Sequence, residues 1–438
     1  SGQKFRHAFT RRLCGVKCEH AGIYLMRKIS LILMLISCSA FSAVPIDARP
    51  PDITGETWQF GPLNRWAFVH LREILPTKNI PNLPSAVSVI PGLDEASDDL
   101  LINLNSKSVK LSDVMGRLFV DGILVINDGT AVVERYGGYL TPDKAHILWS
   151  VSKMITGLTA GSVFRDGLID LEKTVSHYVP ELAATGWAST TLRDMLDMRD
   201  TSDWTEDYDA LDSTVRRQDC ADGLLTGELC ADTEVVGNYV FLPSVGRDDT
   251  RAGKFVYKSG TTDVIAWVLE AATGKRFADI VSEKIWKPMG AERSAGITVD
   301  VSGFTLASGG MFATLRDMGR VGQLMLNRGM HGEAQLVPAS WMDDIFNRSG
   351  DPDVPQEFGL KPVWRLGNPY YRSFIWGVGD GRGTVYAAGV HGQFVYVSPA
   401  TKTVIAMFSS WPNADGGAAG VGPIEAMELL RAVEIAVN

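Results

Sequence analysis

Ser150 and Lys153 stand three apart in Leu148-Trp149-Ser150-Val151-Ser152-Lys153, at the start of a stretch, 147–164, whose apolar residues recur with helical spacing. Residues three apart share a helix face, so this hydroxyl and this amine can meet. A serine alkoxide is hard to form near neutral pH, and a lysine assists only where burial keeps part of it unprotonated. The beginning of such a helix also turns N–H groups and partial positive charge toward an oxyanion. Ser1 and Lys4 have the same spacing, so the pair alone is a weak signal. Its position after a hairpin, at the mouth of an apolar helix, sets Ser150 apart. A second group is Tyr257-Lys258-Ser259-Gly260. A phenol beside a Ser/Lys pair can relay a proton from nucleophile to leaving group. Residues 258–262 read as a polar loop entering a helix at 263–273, which predicts Tyr257 at a loop mouth rather than in a core.

These residues need a frame. Runs 118–126 and 131–136 are apolar and β-branched, and Asn127-Asp128-Gly129 between them is a hairpin signal. Helical spacing follows at 192–198, 277–286, 315–327 and 339–346. Strands return at 384–390, 393–397 and 403–408, with Pro399-Ala400-Thr401-Lys402 as a turn and 424–437 as a closing amphipathic helix. Strands at both ends with helices between are not alternating βαβ units. They predict an α+β domain: one antiparallel sheet from both chain ends flanked by helices, with an inserted helical lobe. A cleft between two such lobes suits an active site. The glycine-rich 377–383 segment precedes a strand rather than a helix, so it reads as a turn and not a phosphate loop.

The 438 residues are 45% hydrophobic, enough for one large unit or two lobes. Met26-Arg27-Lys28, the apolar run 29–36 and the small residues 37–43 have the layout of a secretory signal. Met26 is the expected start, with residues 1–25 upstream of it. Leu35-Ile36-Ser37-Cys38 resembles a bacterial lipobox, which would leave a lipid anchor on Cys38; cleavage after Ala43 would release a soluble protein. Either outcome makes the chain exported, periplasmic or lipid-anchored to a bacterial membrane, with no membrane span. Residues 1–43 carry a net charge of +6 and the remainder −15, which argues against nucleic acid or anionic lipid as a partner. Cys220 and Cys230 are expected to form a disulfide, because a metal pair would lack nearby His or Cys ligands. No metal and no cofactor is expected. The organisation is a signal region at 1–43, a proline-rich extension at 44–110 with one amphipathic stretch at 65–74, and a catalytic domain at 111–438.

The order Ser150-x-x-Lys153, Tyr257-x-Ser259, then a glycine-bearing strand near the C-terminus resembles the serine β-lactamase and penicillin-binding-protein superfamily. Surrounding matches are Arg165-Asp166-Gly167-Leu168-Ile169-Asp170-Leu171, Tyr178-Val179-Pro180-Glu181-Leu182, Thr191-Leu192-Arg193-Asp194-Met195-Leu196-Asp197-Met198 and Ser308-Gly309-Gly310-Met311-Phe312-Ala313-Thr314. The likeness spans about residues 111–437 and is strongest to the class C β-lactamase-like branch, where family VIII-type esterases and 6-aminohexanoate-dimer hydrolases also sit. It implies a β-lactamase/transpeptidase-like fold, an acyl-enzyme on Ser150, Lys153 as base, Tyr257 as relay, and a small ester or amide substrate. The third motif departs from the family. Where Lys-Thr-Gly or His-Thr-Gly is usual, the strand reads Tyr386-Ala387-Ala388-Gly389-Val390-His391-Gly392-Gln393. Either Ala387-Ala388-Gly389 takes the motif's place, making the Val390 N–H the second oxyanion donor, or His391-Gly392 does, with the imidazole standing in for part of the lost grip. The first keeps the strand's glycine spacing. Neither supplies a lysine, which counts against efficient penicillin binding, and His391 reads equally as a structural histidine. Glu206-Asp207-Tyr208 and Asp219 lie where the resemblance implies a tyrosine donating to a leaving nitrogen and an acid holding a substrate ammonium; the same residues read equally as a solvated acidic loop. A β-lactamase or DD-peptidase, and a non-catalytic sensor on the same fold, are the rival readings. The substrate's identity and the oligomeric state are not legible.

Overall fold

In the computed structural model, residues 47–92, 99–348, 350–351, 354 and 367–438 are described. The expected signal region, 1–43, with Cys14, Cys18 and Cys38, lies outside them. The chain divides into Ser1–Ala48 and Arg49–Asn438, and the fold belongs to the second unit.

A four-stranded sheet of order β1-β5-β6-β4 joins β1 (Thr77–Ile80), β5 (Ala295–Thr298), β6 (Met311–Ala313) and β4 (His146–Ile147). A seven-stranded antiparallel sheet runs β7 (Tyr370–Arg372), β8 (Ile375–Gly377), β9 (Val385–Gly389), β10 (Gln393–Ser398), β11 (Thr403–Ser409), β2 (Val120–Asn127) and β3 (Thr130–Tyr136). The expected sheet from both chain ends is therefore present. Its hairpin β2–β3 turns on Asp128 and Gly129, with φ of 45° and 83° between the paired Asn127 and Thr130. Two positive φ values are what a two-residue turn between right-twisted strands demands. The smaller sheet was not legible, since its strands are only two to four residues long.

Both central strands, β10 and β11, are buried along their whole length, so both faces must be covered. Helix α4 (Leu315–Leu326) takes one face. Gly322 brings it so close to β11 that a Cβ there would lie 2.3 Å from Val404 Cγ1. Helix α5 (Pro423–Ala436) takes the other. Its Glu434 accepts a 2.6 Å hydrogen bond from Tyr396, which pairs with Ile405 and so points away from the Val404 face. Helix α1 (Ser152–Arg165) is buried on all sides from Ser152 to Val163, as suits the central helix of the molecule. Helix α3 (Ser259–Thr273) of the inserted region packs beside it, and α2 (Thr214–Ala221) is tied to α3 by the Gln218–Asp263 hydrogen bond.

Residues of the 44–110 segment are part of this unit from Arg49 onward. Trp58, Trp66, Phe68 and Leu71 form a second apolar cluster with Ile147, Trp149 and Leu306, against the turn that carries Ser150. The amphipathic stretch expected at 65–74 is two short pieces, Asn64–Ala67 and Leu71–Glu73. The 377–383 segment is the glycine-rich turn between β8 and β9, with Gly379, Gly381 and Gly383 at positive φ. Among the described residues no helix is long and apolar enough to cross a membrane.

Candidate active site

Strand β4 ends at Ile147, and the chain enters α1 through a 3₁₀ turn, Trp149–Val151. Ser150 is thus in the turn before the helix rather than inside it. Trp149 has φ 46°, a conformation that costs a bulky residue on the order of 1–2 kcal/mol. Packing holds it there: Trp58 stacks on its ring at 5.5 Å, and Phe68 meets it edge-on at 5.8 Å.

Lys153, one turn on, is buried, and its Nζ reaches Ser150 Oγ at 2.8 Å, Ser259 Oγ at 3.0 Å and the Ser308 carbonyl at 2.9 Å. Burial brings its pKa down to about 8, with Glu206 and then Asp263 pulling the other way. Part of the amine is therefore free near neutral pH. Tyr257 is hydrogen-bonded to Ser150, and its ring centre lies 5.0 Å from Lys153 Nζ. Burial, and then Glu206, push its phenol well above the usual range, so it enters as the neutral hydroxyl.

Helix α3 begins at Ser259, four residues earlier than its sequence suggests, and Tyr257 is buried, stacked on Trp376 at 5.7 Å. The reason is a cap from far along the chain. Glu206 accepts the Ser259 N–H at 2.8 Å and the Ser259 hydroxyl at 2.5 Å, satisfying the helix start where no local residue does. Glu206 also accepts from Tyr208 at 2.6 Å and from Trp204 Nε1 at 2.6 Å. A continuous chain of hydrogen bonds thus runs Ser150–Lys153–Ser259–Glu206–Tyr208. Next to it, Asp263 accepts from the Ser308 N–H and hydroxyl and from Gln218, each at 2.9 Å, and burial raises its pKa to about 6. Lys258 points away from the site and is bound at 2.9 Å to Asp200, both side chains being fully buried.

The third wall is β9. A Cβ on Gly389 would lie 2.7 Å from the Leu148 carbonyl and 3.0 Å from the Ser150 N, so only glycine lets the strand approach the turn this closely. That puts Ala387-Ala388-Gly389 where the resemblance places its third motif. His391 follows the strand at φ 61°, and its Nδ1 lies 2.7 Å from the Trp411 carbonyl, to which it must donate. Burial lowers the imidazole pKa to about 4, so it is neutral. Neither the Ser150 nor the Val390 N–H donates to a backbone carbonyl among the described residues.

Two cavities meet at Ser150. One is an open, apolar cleft walled by Tyr257, Trp376, Tyr386, Phe394 and Trp411. The other is smaller and more polar, with Gln59, Trp149, Tyr208, Arg216, Asp219 and His391 in its wall; Val390 borders both. All the residues expected at the site are therefore gathered around Ser150. Asp219 is not a free counter-ion, however: Arg216 Nη1 holds it at 3.1 Å, while burial lifts its pKa to about 6 against that pull. Cys220 follows Asp219 on α2 and is bonded to Cys230. No metal-holding cluster of three His, Cys, Asp or Glu occurs among the described residues.

A sequence model of the family described as Beta-lactamase matches residues 115–422. The chain belongs to the beta-lactamase family. A 6-aminohexanoate-dimer hydrolase of Paenarthrobacter ureafaciens is 34% identical over 365 residues, 83% of this chain and 89% of that relative. A Bacillus anthracis protein proposed to be a 6-aminohexanoate-dimer hydrolase has a solved structure with TM-score 0.76 and 27% identity, over 88% of this chain and 96% of that one. EstCE1, a hydrolase with promiscuous acyltransferase activity, shares the fold at TM-score 0.56 and 15% identity, over 74% of this chain and 96% of its own. This member of the beta-lactamase family is a hydrolase of the amide or ester type.

Several residues at this beta-lactamase-family site escaped the sequence. Asp263 lies four positions from Ser259 on α3, and that spacing was a usable signal. Glu206 was visible only as part of an acidic loop. Gln59, from the extension, had no signal at all, being 91 positions from Ser150.

Proposed function

We propose that the chain is a serine hydrolase that cleaves a small ester or amide through an acyl-enzyme on Ser150. The observation that carries this is the Lys153 amine, buried, lowered to about 8 and 2.8 Å from Ser150 Oγ. Neutral Lys153 takes the hydroxyl proton as Oγ attacks the substrate carbonyl carbon. The tetrahedral oxyanion is held by the Ser150 and Val390 N–H groups. Tyr257, hydrogen-bonded to Ser150, passes a proton to the departing alkoxide or amine. Water then attacks the acyl carbon, gives its proton back through Lys153 and Tyr257, and frees the carboxylic acid and the serine.

The rival β-lactamase or DD-peptidase reading is opposed by Ala387-Ala388-Gly389, which offers no side-chain cation for a β-lactam carboxylate. A narrower reading, hydrolysis of linear 6-aminohexanoate amides, is supported by the Paenarthrobacter relative and by Tyr208 in the cavity wall. The Cys220–Cys230 bond supports an exported, oxidising location. The test is parallel turnover of a short p-nitrophenyl ester, a chromogenic cephalosporin and the linear 6-aminohexanoate dimer. Ester or dimer turnover with slow or absent cephalosporin turnover is expected. Fast cephalosporin turnover would return the lactamase reading, and no turnover of any substrate would favour the sensor.

A further inference from the structure

Gln59 belongs to the segment preceding the matched family region, yet it lines the same cavity as Ser150. The segment is tied down on both sides of it. Trp58 Nε1 donates to the Leu224 carbonyl at 3.0 Å, the Gly61 N–H to Pro412 at 2.9 Å, and Asn64 Nδ2 to Trp411 at 2.7 Å. Gln59 is only 3% exposed. Its Oε1 faces Arg216 Nη1 at 3.4 Å, which assigns the other end of the amide as the NH2 group, and that Nε2 has no protein partner. Trp149 is 7% exposed, lines the same cavity, and its Nε1 likewise has none.

A buried N–H without a partner is costly, on the order of 1–3 kcal/mol, and a native fold leaves few of them. Here two residues that each carry an unpartnered donor line one cavity beside the nucleophile. The charged groups of the wall are paired with each other: Asp219 Oδ2 is held by Arg216 Nη1 at 3.1 Å, Arg216 Nε donates to the Tyr208 carbonyl at 2.7 Å, and His391 is neutral. The one charged pair of the wall is thus satisfied within the protein, and the two unpartnered N–H donors are the groups that call for a ligand atom, an acceptor.

We propose that this cavity is the specificity subsite, and that Gln59 Nε2 and Trp149 Nε1 bind a carbonyl or carboxylate oxygen of the substrate there in place of an ammonium. This rests on the reading of Ser150 as the nucleophile. The substrate class is an ester or amide that carries a second oxygen acceptor at one end.

The test uses matched short esters ending in a methyl, an acetyl carbonyl, a carboxylate or an ammonium, on the acyl or the alcohol side. The quantity read is the kcat/KM ratio between acceptor-ended and methyl-ended esters within each protein, so that changes in overall activity cancel. The wild type is expected to favour an acceptor-ended ester roughly tenfold, the worth of a well-made hydrogen bond. Gln59→Leu is expected to bring that ratio close to one. Trp149→Phe, which keeps the ring and removes the N–H, should lower it as well. A wild-type preference for the ammonium ester, or ratios unchanged in both variants, would overturn the proposal. Labelling of Ser150 by a fluorophosphonate, run alongside, reports separately on the nucleophile: an unlabelled Ser150 counts against the serine reading, while the ratios still judge the subsite.

Discussion

Replacing Glu206 with glutamine should move the pH dependence of catalysis in a direction the hydrogen-bond chain dictates. Lys153 can act as base only when neutral, and its pKa is about 8. The free-amine fraction then rises from roughly one tenth at pH 7 to roughly nine tenths at pH 9, so kcat/KM should climb close to tenfold over that span. Glu206 raises the lysine's pKa. It is one hydroxyl away, since Ser259 Oγ lies 3.0 Å from Lys153 Nζ and 2.5 Å from the carboxylate. Over roughly 5 Å, at an effective dielectric constant of about 20, two unit charges attract by about 3 kcal/mol. Solvent relaxation and the retained amide dipole cut this, leaving an acidward displacement of about one pH unit for the rising limb in Glu206→Gln. The assay is kcat/KM for p-nitrophenyl acetate against pH, followed at the isosbestic wavelength of the released phenol. The height of the profile should fall, because the amide keeps only one oxygen for the four donors that share the carboxylate, but the argument concerns its midpoint. A midpoint that stays in place or moves to higher pH would refute the idea that Glu206 tunes the base.

Three other expectations follow from the same geometry. Gly389→Ala puts a Cβ 2.7 Å from the Leu148 carbonyl and should push β9 off the Ser150 turn; thermal denaturation should show a loss of about 1–3 kcal/mol, with kcat reduced more than KM is changed. Lys258→Ala leaves Asp200 buried without its cation and should cost about 3–5 kcal/mol in urea unfolding, whereas a loss under 1 kcal/mol would mean the pair relaxes freely. Reducing the Cys220–Cys230 bond, which spans ten residues, should lower stability by about 3 kcal/mol and impair turnover, because Asp219 sits next to it. Unchanged melting under reductant would contradict that expectation.

The legible parts of this protein were those written locally. Asp128-Gly129 fixed a hairpin because both positions need positive φ, and Ser150–Lys153 could be recognised because three residues span one helix turn. The strands at 384–390, 393–397 and 403–408 came out within two residues of Val385–Gly389, Gln393–Ser398 and Thr403–Ser409, since each is a continuous apolar run. What escaped was built from distant pieces. The start of α3 depends on Glu206, 53 positions away, so no residue before Ser259 announces it. Arg216 claims Asp219 through a spacing of three on α2, a signal visible in principle where Asp219 read as an acid for a substrate ammonium or as part of a solvated loop. The 44–110 segment looked like an extension because it is rich in proline, although its Trp58, Trp66 and Phe68 pack beneath the nucleophile.

The central claim is that Ser150 carries the acyl group, and it is most directly tested by trapping. The protein is quenched in acid during turnover of a slow ester, digested and examined by mass spectrometry, beside Ser150→Ala. The account predicts an acyl adduct on the peptide containing Ser150, and neither adduct nor turnover in the variant. An adduct on another residue, or Ser150→Ala turnover at the wild-type rate, would contradict it.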